Sequence, residues 1–183
     1  MILAMARLKK YSNIRLLIVG GDSSPASPSS AEMLRLKGIA INENVSEIVN
    51  FTGHKNREML KYYYSAADIF ITTPWYEPFG ITPLEAMACG TPVIGADVGG
   101  IKYSVVNGYT GFLVPPDQPE ALAQKIEILL DNQQLLLSMG VHAIEHVNSE
   151  FTWSHVSNLV DSLYSYIQRI PQGMRVSHQT KAA

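Results

Sequence analysis

Two glutamates, Glu77 and Glu85, are the side chains in this sequence whose type and spacing most clearly suggest chemistry. Seven residues separate them, and those residues lie where a predicted strand gives way to a short predicted helix. An ionised carboxylate is purely a hydrogen-bond acceptor, and its two oxygens can receive both hydroxyls of a vicinal diol. The pair therefore suits recognition of a ribose or a hexose.

The residues between the two glutamates predict a site for an anion. Thr82 is a favourable N-cap and Pro83 suits the first helical position, while Gly90 suits the residue just past the helix end. A helix that begins directly after a strand turns its first backbone N–H groups towards the carboxyl edge of the sheet. We expect the N–H groups of Gly80, Ile81 and Thr82 to favour a phosphate there. Phosphate and sugar recognition in one loop indicates a nucleotide sugar.

Structural interpretations of the same residues are also open. Thr82 and Glu85 have the spacing of a capping box, in which the glutamate would simply accept a hydrogen bond from the N-cap backbone N–H. Glu77 could equally be a solvated loop residue. Local sequence does not separate these interpretations.

The composition limits the class of protein. The 183 residues are 46% hydrophobic and 16% charged, with a net charge of −2, which fits one globular domain and gives no basic signal for nucleic acid. A single cysteine, Cys89, excludes an intrachain disulfide. No apolar run reaches the roughly 18 residues of a membrane span, and the first residues lack the features of a signal peptide. We expect a cytoplasmic protein.

Predicted strands and helices alternate along the chain. Repeated units of this kind predict an α/β fold, a Rossmann-like doubly wound parallel sheet flanked by helices, with ligands beyond the carboxyl ends of the strands. We expect an exposed loop at 23–30 and a flexible tail at 171–183. The predicted strands are 15–19, 48–52, 69–72, 92–96 and 111–114, and the predicted helices are 1–10, 30–39, 57–66, 83–88, a short one after Gly100, 120–130, 134–148 and 153–170.

Several segments together carry a resemblance to a known family. Residues 51–54, 66–68, 74–90, 91–94, 98–101 and 107–114, in this order, are similar to the group 1 retaining glycosyltransferases. That family includes sucrose-phosphate synthase-like and glycogen synthase-like enzymes built from two Rossmann-like domains, the GT-B fold. The most specific part is the E-x₇-E segment from Glu77 to Glu85 with its surrounding residues. The resemblance implies that residues 1–170 form the C-terminal, donor-binding domain.

Roles for the matched positions follow from the resemblance alone. Glu77 would be the catalytic-site residue that bonds a hydroxyl of the donor hexose, and Glu85 would hold the ribose diol. Phe79, Gly80 and Ile81 would line the hexose with their backbone N–H groups, Thr82 would bind the distal phosphate, and Leu84 would pack near the ribose. Gly53, His54 and Lys55 would lie beside the nucleobase, and Gly20 and Gly21 would leave room for the nucleotide. The donor would be a UDP-sugar, with ADP- and GDP-sugars also open, and neither a cofactor nor a metal is expected.

Parts of the family pattern are not matched in this sequence. The family's first strand, its glycine-rich turn, its Arg/Lys pair and its acceptor-binding domain have no counterpart, so the isolated chain is expected to transfer sugar weakly or not at all. A doubly wound sheet places its first strand in the centre. We expect either a gap or a rearranged sheet there, and exposed strand edges could support a homodimer.

Two other functions remain as alternatives. One is a non-catalytic nucleotide-sugar-binding module or a subunit completed by a separate acceptor-domain chain. The other is a sugar-nucleotide epimerase, whose acidic and histidine residues find no match here.

Two remaining features predict no separate function. His142 and His146 have the H-x-x-E-H spacing of some zinc peptidases, yet no third ligand is recognisable. Trp153, Tyr164 and Tyr166 predict an aromatic surface on the last helix, exposed where the second domain is missing.

Overall fold

The protein alternates strands and helices as its sequence predicts. The computed structural model describes residues 1–21 and 31–169, so the predicted loop 23–30 and tail 171–183 lie outside the described residues. The elements are, in chain order, α1 (Ile2–Met5), β1 (Leu16–Val19), α2 (Ala31–Asn42), β2 (Val49–Gly53), α3 (Arg57–Ala66), β3 (Phe70–Thr72), α4 (Ile81–Ala88), β4 (Val93–Ala96), α5 (Ile101–Ser104), β5 (Gly111–Val114), α6 (Pro119–Leu130), α7 (Gln133–Glu150) and α8 (Trp153–Arg169).

The predicted first helix, residues 1–10, is wrong in length. The α-helix spans only Ile2–Met5, and the chain continues in turns whose N–H groups bond three residues back, from Arg7 to Ala4 and from Leu8 to Met5. Tight turns of this kind place residues three apart on the same side. Ile2, Met5 and Leu8 are therefore all buried, and the apolar spacing survives the loss of the helix.

All strand pairs are parallel, which confirms the predicted α/β class. β1 pairs with β2, with Leu16 opposite Val49, and a separate group pairs in the order β3-β4-β5, with Ile71 opposite Ile94 and Ile94 opposite Phe112. The sheet is thus divided into a two-stranded and a three-stranded part. Among the described residues, no strand joins β1 to β3.

The two parts share one apolar core. Buried residues of α1 and α6, such as Met5 and Ile126, pack in one cluster with Leu16 from the first part and Ile94 from the second. A second cluster lies under α3, α4 and α7, around Met87. The first cluster therefore joins the two sheet parts, whereas the second packs against the three-stranded part alone.

A cavity of about 1170 Å³ separates the two sheet parts. Its walls include residues of β1, such as Leu17, and of β3, such as Ile71. The sequence left open whether a missing central strand would leave a gap or force its neighbours together. The structure has the gap.

The last helix, α8, has no buried residue. Trp153 is 88% exposed and Tyr164 and Tyr166 are also exposed, as the sequence predicted for this aromatic surface. Within the described part of the chain, no helix combines the length and the apolar character that a membrane crossing would need.

Candidate functional site

The loop between β3 and α4 sets the geometry of the candidate site. Gly80 adopts a left-handed conformation (φ 86°, ψ 52°) and is the N-cap of α4, which begins at Ile81. The predicted helix start, with Thr82 as N-cap and Pro83 at the first position, is therefore wrong by two residues. A glycine takes this conformation at little cost, so the loop can turn sharply into the helix before the threonine is reached.

Glu77 folds back onto its own loop. Its Oε1 atom accepts hydrogen bonds from the backbone N–H of Gly80 (3.0 Å) and, over a longer distance, from that of Phe79 (3.4 Å). Glu77 is half-buried, so the interpretation as a purely solvated loop residue is wrong. The contact orients the carboxylate and leaves Oε2 without a hydrogen bond to the described residues.

The first turn of α4 presents free donors to the outside. Ile81 and Thr82 are both exposed, and as the first two helical residues their N–H groups have no intrahelical acceptor. Pro83, the third residue, is buried and has no N–H to satisfy. The N–H of Gly80, predicted to be available, is instead bonded to Glu77. Two backbone donors therefore remain for an anion.

Glu85 lies in the second turn of α4 and faces α3. Its Oε2 atom accepts a hydrogen bond from the hydroxyl of Tyr64 (3.1 Å), and its Oε1 atom lies 3.8 Å from Nη2 of the exposed Arg57. The capping-box interpretation is therefore wrong, because the N–H of the true N-cap, Gly80, goes to Glu77. About 29% of the Glu85 side chain is exposed, so its carboxylate is held by protein on one side and open on the other.

Tyr64 is a buried anchor for this arrangement. It is 8% exposed, and its ring packs edge-on against Phe70 of β3, with 5.4 Å between the centroids. Its backbone oxygen accepts a hydrogen bond from the Thr91 hydroxyl (2.6 Å). Burial, followed by the negative charge of Glu85, raises the pKa of Tyr64 above that of a free phenol. The hydroxyl therefore stays protonated and donates.

A glycine pair after β4 braces the loop from the other side. The N–H of Gly100 donates to the backbone oxygen of Glu77 (2.8 Å). A Cβ atom on Gly99 would lie 1.8 Å from that same oxygen, and one on Gly100 would lie 2.0 Å from the oxygen of Phe79. The two backbones thus touch directly, which only glycine permits.

The other predicted donor-binding residues follow β1 and β2. Gly20, Gly21 and Gly53 all have positive φ, and Gly20 has open space where a side chain would stand. Gly20, His54, Lys55 and Thr82 line the cavity between the sheet parts. These four residues therefore meet at one cavity, whereas Glu77 and Glu85 are not among the residues that line it.

The remaining predicted lining residues differ in exposure. The side chain of Phe79 is 59% exposed, whereas Leu84 is half-buried against the core cluster around Met87. Leu84 is thus a core-packing residue, and its implied place beside the ribose stays a prediction.

The histidine pair of α7 takes part in packing contacts. His142 stacks on Tyr109 with 4.0 Å between the ring centroids, and Nε2 of His146 lies 3.1 Å from the backbone oxygen of Ser104. Across residues 1–21 and 31–169, no three His, Cys, Asp or Glu side chains gather in a way that could hold a metal ion.

Sequence reasoning missed several residues that shape the site. The roles of Tyr64 and Arg57 depend on the packing of α3 against α4 and have no local signal. Gly99 and Gly100 did carry a signal, because adjacent glycines after a buried strand indicate a tight backbone approach. The sequence predicted a short helix after Gly100 but not the contact of this glycine pair with the Glu77 loop.

Comparison with known proteins identifies the family to which this domain is similar. The family model described as "Glycosyl transferases group 1" matches residues 1–146. The D-inositol 3-phosphate glycosyltransferase of Corynebacterium efficiens is 37% identical over 153 residues, which are 84% of this chain and 35% of that protein. The chain thus spans about a third of the length of this relative.

Solved structures agree with the family match. Sucrose-phosphate synthase from Thermosynechococcus elongatus superimposes with a TM-score of 0.77 at 35% identity, over 91% of this chain and 42% of that one. Anabaena HepE in complex with UDP gives a TM-score of 0.75 at 25% identity, over 90% of this chain and 44% of that one. The protein therefore belongs to the group 1 glycosyltransferases and has the fold of the C-terminal domain of these GT-B enzymes.

Proposed function

We propose that this chain is the donor-binding domain of a retaining glycosyltransferase that takes a hexose from a nucleotide sugar. The observation that supports the proposal is the hydrogen bonding of the carboxylates of Glu77 and Glu85. Oε1 of Glu77 is bonded to the loop backbone and its Oε2 has no hydrogen bond to the described residues. Oε2 of Glu85 is bonded to Tyr64, while its Oε1 faces only the exposed side chain of Arg57, 3.8 Å away, which a ligand can displace. The UDP complex of the similar Anabaena protein supports a UDP-sugar as the donor, with ADP- and GDP-sugars as alternatives.

The proposed contacts follow the order of groups in a nucleotide sugar. The N–H groups of Ile81 and Thr82 receive the distal phosphate, helped by the positive end of the α4 dipole. Glu77, on one side of them, accepts a hexose hydroxyl, and Glu85, on the other, accepts the ribose hydroxyls. His54 lies beside the nucleobase.

Transfer breaks the bond between the sugar and the diphosphate, so negative charge grows on the departing nucleoside diphosphate. Backbone donors that are already fixed in place stabilise such charge without reorganisation. Glu77 is the proposed catalytic-site residue because it orients the hexose at the breaking bond. The acceptor, which this domain does not bind, requires a second domain or chain, so we propose that these 183 residues bind the donor but transfer it weakly when alone.

A non-catalytic binding module would bind the donor equally well. A transfer assay with UDP-glucose, with and without the acceptor-binding domain of a relative, separates the two functions. If UDP-glucose is turned over only when the added domain is present, the result supports the glycosyltransferase. If neither mixture hydrolyses UDP-glucose or transfers its sugar, the result supports the binding module.

The cytoplasmic location stays a prediction from the sequence.

Calorimetry with UDP-glucose and with UDP tests the proposed contacts separately. Glu77→Gln should weaken UDP-glucose binding roughly tenfold, about 1.4 kcal/mol, and leave UDP binding unchanged, because only the hexose contacts this residue. Glu85→Gln should weaken both ligands by a similar factor. The matched control is Glu145→Gln on the exposed surface of α7, which should change neither. Wild-type affinity for UDP-glucose in both site variants would remove the assignment.

A further inference from the structure

One charged group of a nucleotide sugar has no partner among the proposed contacts. Ile81 and Thr82 receive the distal phosphate, Glu77 the hexose and Glu85 the ribose, but the proximal phosphate, which is bonded to the ribose, has no donor. Its negative charge adds to those of the two carboxylates, whereas the N-terminus of α4 offsets only about half of one charge. A bound donor therefore needs a cation close to Glu85.

Arg57 is the cation that lies beside Glu85. Its Nη2 atom lies 3.8 Å from Oε1 of Glu85, and neither Glu77 nor Glu85 forms another ion pair within the part of the chain that the structure describes. His54 and Lys55, the basic residues just before Arg57, line the cavity instead. Arg57 is thus on the ribose side of the proposed donor, where the proximal phosphate is expected.

The ion pair between Arg57 and Glu85 is loose. The 3.8 Å between its two atoms is longer than an N–H···O hydrogen bond, and the Arg57 side chain is 89% exposed. Exposed pairs contribute little to stability, because water solvates both charges and a long side chain loses freedom when it is held. The guanidinium can therefore leave Glu85 at little cost.

Helix stability gives no reason for an arginine at position 57. Arg57 is the first residue of α3, whose N-terminus is already capped by Asn56 through a hydrogen bond from the N–H of Met59 (3.0 Å). A cation there faces the positive end of the helix dipole, which favours acidic residues such as Glu58. A phosphate ligand does give a reason, because the guanidinium fork matches phosphate oxygens.

We propose, in an inference that rests on the proposed function, that Arg57 is a mobile counter-ion of the donor. It pairs with Glu85 until the ribose hydroxyls take Oε1, and it then turns to the proximal phosphate. Arg57 thus competes with the ribose for Glu85 and attracts the phosphate. The site consequently selects a nucleotide over a free nucleoside.

Calorimetric titration of the 183-residue chain with uridine, UMP and UDP tests this selection. Arg57→Gln removes the charge and keeps a polar side chain. We expect UMP and UDP to bind roughly tenfold more weakly, as for the loss of one charge-assisted hydrogen bond. Uridine should bind as it does to the unsubstituted chain, or up to about threefold more tightly, because the competitor for Oε1 is gone. Damage to the fold would weaken all three ligands alike.

Two further variants serve as controls. Arg57→Lys keeps the charge but not the fork, so UMP affinity should fall by only about threefold. Lys61→Gln removes a charge one turn further along α3, where Nζ lies 5.1 Å from the centroid of the exposed Tyr62 ring, and should change the binding of none of the three ligands.

Unchanged UMP affinity in Arg57→Gln would overturn the role of Arg57, as would an equal loss of uridine affinity. If Glu85→Gln weakens uridine binding in the same experiment, the ribose contact stands and only the counter-ion is lost. If the unsubstituted chain binds none of the three ligands, the proposed function falls and the counter-ion falls with it.

Discussion

Replacing Gly100 by alanine should displace the loop that carries Glu77. Gly100 has φ −70°, which alanine adopts without strain, so the effect comes from the new Cβ atom alone. That atom would stand 2.0 Å from the backbone oxygen of Phe79, whereas real Cβ contacts essentially never fall below 3.0 Å. The Phe79 backbone must therefore retreat by 3.0 − 2.0, or about 1 Å, if the α5 start stays in place.

A displacement of this size is large for a binding site. Misplacing a reacting group by about 1 Å can cost on the order of 100-fold in rate, and we expect at least a tenfold loss of UDP-glucose affinity. The free energy of unfolding should fall by about 1–3 kcal/mol, as for other overpacked sites. Isothermal titration calorimetry and thermal unfolding measure the two effects.

The control is Gly38→Ala in α2. Gly38 is helical with no atom within 4 Å of an added Cβ, so alanine should leave donor binding unchanged and stabilise the helix by up to about 1 kcal/mol. Wild-type donor affinity in Gly100→Ala would refute the reasoning, because the glycine pair would then not position the Glu77 loop.

Three further substitutions test the packing around the site. Tyr64→Phe removes only the hydroxyl that bonds Glu85, so UDP binding should weaken about three- to tenfold by calorimetry while the fold is kept, and the exposed Tyr62→Phe on the same helix should have no effect. Gly80→Ala forces a non-glycine residue into the left-handed region and should lower the free energy of unfolding by about 1–2 kcal/mol in urea; an unchanged midpoint would show that the loop relaxes elsewhere. Leu129→Ala empties a fully buried core position and should cost about 2–5 kcal/mol of stability without changing donor affinity per folded molecule.

Most of the fold could be predicted because its signals are local. The apolar runs and their spacing placed β5 at 111–114 and α3 at 57–66 as the structure has them. The division of the sheet could not be predicted in the same way. It depends on whether β1 and β3 pair with each other, which is a contact between distant parts of the chain that no local pattern specifies.

The candidate site, too, could be predicted from the sequence only where its signals are local. The loop after β3 could be found from its glutamates and its helix signals, and Gly90 does follow the α4 C-cap in a left-handed conformation. The start of α4 was misplaced because a threonine-proline pair is a strong local signal, while the true cap is a glycine whose N–H is satisfied by Glu77. The anchor that Tyr64 provides for Glu85 spans 21 residues and arises only when α3 meets α4.

Titration of the ¹⁵N-labelled chain with UDP-glucose, followed by amide NMR, tests most directly whether α4 receives the donor. We predict that the Ile81 and Thr82 amides shift most strongly, that the Gly80 amide follows as Glu77 engages the hexose, and that UDP alone shifts Ile81 and Thr82 but not Gly80. A titration that saturates while these amides stay in place would contradict the account, because the donor would then bind somewhere else.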